Sequence, residues 1–346
     1  MSISPQVTVV GECVADIFAA PPGVDRSGLA LRMQSGGGPA NTAVGLARLG
    51  TPTRLLARLS GDLFGRTIRA HLLGSGVDLS GAVAAAEPST LAVADIGPDG
   101  QAAYTFHATA TADWQWTEAE LAAAGTGRSA CVHAGSLALA LAPGAPAVED
   151  FLARARAHAT VSIDPNVRTA LVDTDVYRRR LPRWCALADI LRLSEDDLRT
   201  LRPGVPPAVA CDDFHRAGAR LVVVTRGADG VTISLDGRRA DVPGVPVDVV
   251  DTVGAGDSFT AGLLHRLGAQ GLLGGRLAGA TLDAVADACR YAVRVAALTC
   301  AVPGPNPPWV RQVDAMTDGA AGDMVGEAAG DMTDGAAGDT VPPAVR

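Results

Sequence analysis

The sequence predicts an α/β protein with a mainly parallel central sheet, helices on both faces and a small β lid. Strand-like apolar runs alternate with helical stretches through the middle of the chain, the pattern of a parallel sheet covered on both sides. One β-hairpin interrupts that alternation, and a glycine turn running into a helix occurs near each end of the main body.

In chain order, Val7 to Val10 reads as a short buried strand. Gly36 to Leu49 reads as a glycine turn entering an amphipathic helix, with Val44, Leu46, Ala47 and Leu49 on its apolar side. Leu91 to Ile96 and Ala102 to His107, joined by Gly97-Pro98-Asp99-Gly100, form the hairpin, and a second strand pair between Ile17 and Gln34 joins it as the lid. Strands then follow at Ala130 to His133, Thr160 to Asp164, Ile190 to Leu193 and Leu221 to Thr225, separated by helices such as Val148 to Ala159 and Pro207 to Ala217. Ligands of such sheets bind at the carboxyl ends of the strands, where Asp164-Pro165-Asn166, Ser194-Glu195 and Thr225-Arg226-Gly227 fall. The expected boundaries are a main domain over residues 6–312, with its lid from about 12–35 and 89–110, and a tail over 313–346.

That tail repeats an octad three times from Met316 to Asp339 (MTDGAAGD, MVGEAAGD, MTDGAAGD). Rich in Gly, Ala and Asp, it has too little apolar bulk to offset ordering entropy and is expected to be a disordered acidic appendage. It also carries most of the charge: the formal net charge is −8, and seven acidic residues against one Arg from Asp314 onward leave about −2 elsewhere. Nucleic-acid binding therefore has no electrostatic footprint. No stretch reaches the length of a membrane span, and the first residues lack a basic leader pattern, so neither membrane nor secretion is expected. The six cysteines show no metal-ligand spacing and fit reduced thiols in a cytoplasmic core. All 29 basic residues are Arg, which excludes the lysine-dependent Walker A and protein-kinase nucleotide sites.

The chemistry concentrates in VVDTVGAGDSFTAGLLHRL, Val249 to Leu267. Val247 to Val250 reads as a strand, Gly254-Ala255-Gly256 offers free N–H groups, and Ser258 to Leu267 is a helix whose positive end faces the turn. Asp257 places a carboxylate beside this anion hole. A carboxylate there can take the proton of an attacking hydroxyl while the turn stabilises a transferring phosphoryl group, or it can simply stabilise the helix dipole.

Two ordered motifs, GGGPANTAVGLARLG at Gly36 to Gly50 and DTVGAGDSFTAGLL at Asp251 to Leu264, resemble those of the PfkB, or ribokinase-like, carbohydrate kinases, with the nearest likeness to bacterial fructokinases. SGDLFGRTIRAHLLGSGVDLS, SIDPNVR, ADILRLSEDDL, VVVTRGADGV and AALTCAVPGPNPP support the resemblance from about Val7 to Pro308. It implies a ribokinase-like three-layer α/β/α fold with a β lid.

The resemblance further implies that Asp257 is the catalytic base and Gly254, Ala255 and Gly256 the anion hole. It maps a sugar site onto Asp16, Gly37, Gly38 and Asn41, with Arg168 near the substrate or its incoming phosphate. Read alone, Asp16 is equally a turn residue, Asn41 a helix-start amide and Arg168 a surface ion-pair partner. The nucleotide side would take Asn166, Ser194, Thr225, Gly227, Gly230, Gly254 and Gly256. Ser194 and Asp197 sit where relatives organise a magnesium-bound water network; a solvated helix start is the competing account. Asp251 and a second loop near Ala297 to Gly304 correspond to a monovalent-cation site. There Val302-Pro303-Gly304-Pro305-Asn306-Pro307-Pro308 carries two prolines beyond the usual pattern, which fix φ and remove N–H donors.

These readings converge on an ATP- and Mg²⁺-dependent sugar kinase, with K⁺ as a candidate activator, D-fructose as the leading acceptor and fructose 6-phosphate as product. The alternatives are a 2-keto-3-deoxygluconate kinase, a ribokinase, a nucleoside kinase, or a catalytically silent sugar-binding protein on the same scaffold. The projecting lid is also a candidate surface for a homodimer.

Overall fold

A computed structural model describes residues 6–19, 30–96 and 102–316. The chain opens with β1 (Gln6–Val10), β2 (Val14–Ala19), β3 (Leu31–Gly36), α1 (Gly38–Arg48), β4 (Thr53–Leu56) and β5 (Arg58–Ser60). There follow α2 (Leu63–Gly74), β6 (Val83–Ala85), β7 (Leu91–Ile96), β8 (Ala102–His107), α3 (Glu118–Ala124), β9 (Ser129–Gly135) and α4 (Ala145–Ala155). The second half comprises β10 (Thr160–Asp164), α5 (Thr174–Leu187), β11 (Ile190–Ser194), α6 (Glu195–Leu201), α7 (Pro207–Ala217) and β12 (Leu221–Thr225). It ends with β13 (Val231–Leu235), β14 (Arg238–Val242), α8 (Ala255–Ala269), α9 (Leu282–Cys300) and α10 (Val310–Ala315).

The central sheet has the order β14-β13-β12-β11-β10-β9-β1-β4. From β4 to β12 every pairing is parallel, and β13 and β14 close one edge as an antiparallel meander. Its inner strands are near-continuous apolar runs because both faces are covered. Leu221 and Val223 pack with α1, α8 and α9, whereas Val222 and Val224 pack with the layer formed by α4 to α7, the two-residue alternation of a strand. The result is three layers, helix on sheet on helix.

A second sheet, β3-β2-β7-β8, stands off the first. It contains the expected hairpin with both strand ranges as read from sequence, its turn lying outside the described residues. The partner strands β2 and β3 pair antiparallel and join the hairpin through the parallel pair β2 and β7.

Three sequence expectations change. Val247 to Val250 is not a strand: Pro243 and Pro246 deny the approach to it two N–H donors, and Val249 and Val250 stay exposed at 64% and 58%. The Val250 N–H goes instead to Cys300 O at 2.8 Å, at the end of α9. The stretch from Ala297 to Cys300 is the last turn of α9, so the second loop starts only after it. The ordered body also passes residue 312, because α10 buries Val313 and the first residue of the octads, Met316. The acidic tail beyond it, 317–346, lies outside the described residues.

Candidate active site

The two glycine turns meet above the carboxyl ends of the parallel strands. Gly254 caps α8 at φ 78°, and a β-carbon there would stand 2.8 Å from Pro305 Cβ, so both conformation and packing require glycine. Ser258 N–H makes the first helical bond, to Gly254 O at 2.9 Å, while Ala255 N–H bends back to Thr252 O at 3.3 Å. The first-turn N–H groups of Gly256 and Asp257 precede the helical ladder, at the end of the helix where the dipole favours negative charge.

Asp257 sits on that first turn. Its Oδ2 accepts from Asn41 Nδ2 at 2.9 Å, across 216 positions of sequence. Gly38 lets this approach happen, since a β-carbon on it would lie 2.9 Å from Asn166 Nδ2 and 3.2 Å from Asp257 Oδ1. Gly37, at φ 101°, turns the chain into α1 directly over the Glu12 carbonyl. Pro39, in the first helical turn, needs no N–H partner. Asn166 is held at φ 41° with its N–H on Asp164 Oδ1, 3.1 Å away.

Asp16, on β2, abuts Gly36, where a side chain would collide with its carboxylate. Burial pushes Asp16 up to about 6, with Arg168 opposing and the negative charge of Asp257 adding to the rise. Burial likewise raises Asp257, and the Asn41 hydrogen bond, Arg168 and Arg192 hold it down. Asp16, Asn41, Arg168 and Asp257 therefore sit close enough to feel one another's charge or hydrogen bonds, and together present two carboxylates, an amide and one exposed guanidinium.

On the other side, Gly227 and Gly230 follow β12 at φ 57° and 87°, forming a turn whose Gly230 has no room for a side chain against Val242 O. Thr225 Oγ1 accepts from Arg192 at 2.6 Å. Ser194 caps α6, and Asp197 completes a capping box: Asp197 Oδ2 accepts from Ser194 Oγ at 2.7 Å, and Oδ1 from Val167 N–H at 2.9 Å. The helix start expected there is real, with Asp196 in solvent but Asp197 buried, and through Asp197 it ties the end of β11 to the loop carrying Asn166 and Arg168. Asp251 joins two loops, its oxygens accepting from Val253 N–H at 3.0 Å and Gly304 N–H at 2.8 Å. Among the described residues no group of three His, Cys, Asp or Glu side chains could hold a metal by itself. No helix there is long and apolar enough to cross a membrane.

Two groups at this site, Arg192 and Glu12, escaped the sequence reading. Arg192 lies within the buried strand β11, and its NH1 donates to Asp164 Oδ2 at 2.7 Å. A charge between leucines in the short strand ILRLS was the signal available. Glu12 is buried between β1 and β2, accepts from Ala138 N–H at 3.3 Å, and is raised by burial to about 7.

A glycine turn at a helix N-terminus, a carboxylate beside it and a small second sheet standing off an open α/β sheet are the parts that a phosphotransferase for a small hydroxyl acceptor needs. The comparisons agree. The family model for the pfkB family carbohydrate kinases matches residues 4–311, and the chain belongs to that family. It is 35% identical over 265 residues to a fructokinase of Rhizobium leguminosarum bv. trifolii, covering 76% of this chain and 80% of that one. Among solved structures, the fructokinase of Xylella fastidiosa with bound ATP superposes with a TM-score of 0.81 at 26% identity, over 90% of this chain and 98% of that one. A double mutant of the fructokinase of Vibrio cholerae O395, in its form with fructose, ADP and potassium ion, gives 0.73 at 26% identity, over 88% and 95%.

Proposed function

We propose that this carbohydrate kinase transfers the γ-phosphoryl group of Mg·ATP to the terminal hydroxyl of D-fructose, yielding fructose 6-phosphate and Mg·ADP. The observation that carries the reading is the Asn41 to Asp257 hydrogen bond at the N-terminus of α8, which places a half-buried carboxylate within reach of both an acceptor and the anion hole. Asp257 takes the hydroxyl proton as the oxygen attacks phosphorus, a new O–P bond forms, and the bond to the ADP oxygen breaks. The first-turn N–H groups of α8 and Arg168 meet the charge on the transferring oxygens. Asp16 and Asn41 orient the sugar, and the lid keeps water from competing with it.

Magnesium belongs to the nucleotide substrate. Mg²⁺ usually keeps several waters and leans on the phosphates, which fits a site whose own carboxylates are already engaged by Ser194, Val167 and Arg192. The junction of Asp251 with the Gly304 loop is where potassium would act, through backbone carbonyls ordered by that carboxylate. The test is ATP-dependent turnover across fructose, ribose, 2-keto-3-deoxygluconate, tagatose and a purine riboside. Fructose is expected to give the highest kcat/KM; a different preferred acceptor would retain the kinase and overturn the sugar assignment.

A further inference from the structure

Arg192 is a charged residue where the strand pattern calls for an apolar one. It is 5% exposed, flanked by the fully buried Leu191 and Leu193. One terminal nitrogen donates to Asp164 Oδ2 at 2.7 Å and the other to Thr225 Oγ1 at 2.6 Å, so the guanidinium bridges three adjacent strand ends. Burying such a pair is costly, and apolar residues would hold these strands together as well. The position needs a reason besides stability.

Gly256 supplies it. A β-carbon on Gly256 would lie 2.8 and 2.9 Å from the two terminal guanidinium nitrogens, so Arg192 is pressed against the backbone of the anion-hole turn from the sheet side. Gly256 has no positive φ, so conformation alone does not call for glycine there. The Phe259 ring, one turn along α8, lies 6.0 Å from the guanidinium carbon and shields this contact from water.

Building on the phosphoryl-transfer reading, we infer that Arg192 is a positioning residue whose fixed positive charge, seated behind Gly256, strengthens the anion hole and favours the ionised form of the base. Gly256 is then a glycine to admit the guanidinium as much as to admit phosphate. The groups that face Asp257 are Asp16 from β2, Asn41 from α1, Asp164 from β10, Arg168 from the following loop, and Arg192 itself. Of these Arg192 is the buried cation, and its charge does not titrate in the working range.

The test compares Arg192→Gln, Arg192→Lys and the double variant Arg192→Gln/Asp164→Asn, which leaves no buried charge unpaired should the single change fail to fold. Loss of the cation is expected to lower kcat about 10- to 100-fold, less than the removal of a donor in direct contact, with KM for fructose and Mg·ATP within about threefold of wild type. The acid limb of kcat in Arg192→Gln should move upward by about one pH unit, and Arg192→Lys should recover most of both effects. Gly256→Ala should cost less in an Arg192→Ser background than in wild type, because the colliding group is gone. Carboxyl titration of Asp257 by ¹³C NMR reads the charge effect without turnover, so a wild-type protein that phosphorylates no sugar would refute the kinase reading separately. An unmoved Asp257 titration, wild-type kcat in the double variant, or strictly additive Gly256 and Arg192 effects would overturn the inference.

Discussion

Replacing Asn41 with Leu removes the amide that donates to Asp257 Oδ2 at 2.9 Å while keeping a side chain of similar size in a position that is 8% exposed. A hydrogen bond to a charged group contributes about 1.5 to 3 kcal/mol, and about 1.4 kcal/mol corresponds to one pKa unit. The base, already raised by burial, should therefore rise by a further one to two units, roughly. The sign follows: proton transfer needs the carboxylate, so kcat should climb with pH along a limb displaced upward, and the deficit should shrink toward alkaline pH. The assay is ADP release at saturating fructose and Mg·ATP from about pH 5 to about pH 9, which separates this effect from any loss of sugar affinity in KM. A variant whose kcat falls equally at every pH, with the limb where wild type has it, would refute the claim that Asn41 tunes the base.

Glu12→Gln bears on stability. Because burial raises Glu12 to about 7, its contribution is fully present below the unfolded value of 4.5 and is lost as pH rises through the folded value. The Gln variant should be more stable than wild type by about 3 kcal/mol near pH 8, with the gap closing toward pH 5. Melting curves at the two pH values check this, and an equal offset at both would contradict it. Truncation after Met316 should leave both kcat and melting temperature unchanged, because Val313 and Met316 close the packed body; a truncation that also removes α10 should lower the melting temperature. Exchanging potassium for sodium should lower turnover, and Asp251→Ala should abolish the difference by releasing the Gly304 loop.

Much of the frame was legible because local rules and global fold agree at those positions. The hairpin strands Leu91–Ile96 and Ala102–His107 and the core strands Thr160–Asp164 and Leu221–Thr225 are bounded by strong turn residues and lie where both faces or one face must be apolar. Val247 to Val250 misleads because valine propensity speaks for a strand, while the sheet edge is already formed by β13 and β14 and two prolines intervene. The glycine turn that opens α8 and the carboxylate of Asp257 on its first turn were visible in one short stretch. The Arg192 bridge was not, since Asp164, Arg192 and Thr225 meet only once β10, β11 and β12 take their register. The engaged oxygens of Asp197 belong to the same class: a capping box can be read from sequence, but its burial against Val167 cannot.

Asp257→Asn is the most direct test of Asp257 as the base. The amide keeps the shape and can still pair with Asn41, but it cannot accept the hydroxyl proton. Turnover should fall by about 10²- to 10⁴-fold, the range of general-base contributions, while calorimetry shows fructose binding within a few-fold of wild type. An Asn variant that phosphorylates fructose at close to the wild-type rate would contradict the assignment and return Asp257 to the role of a helix-end carboxylate.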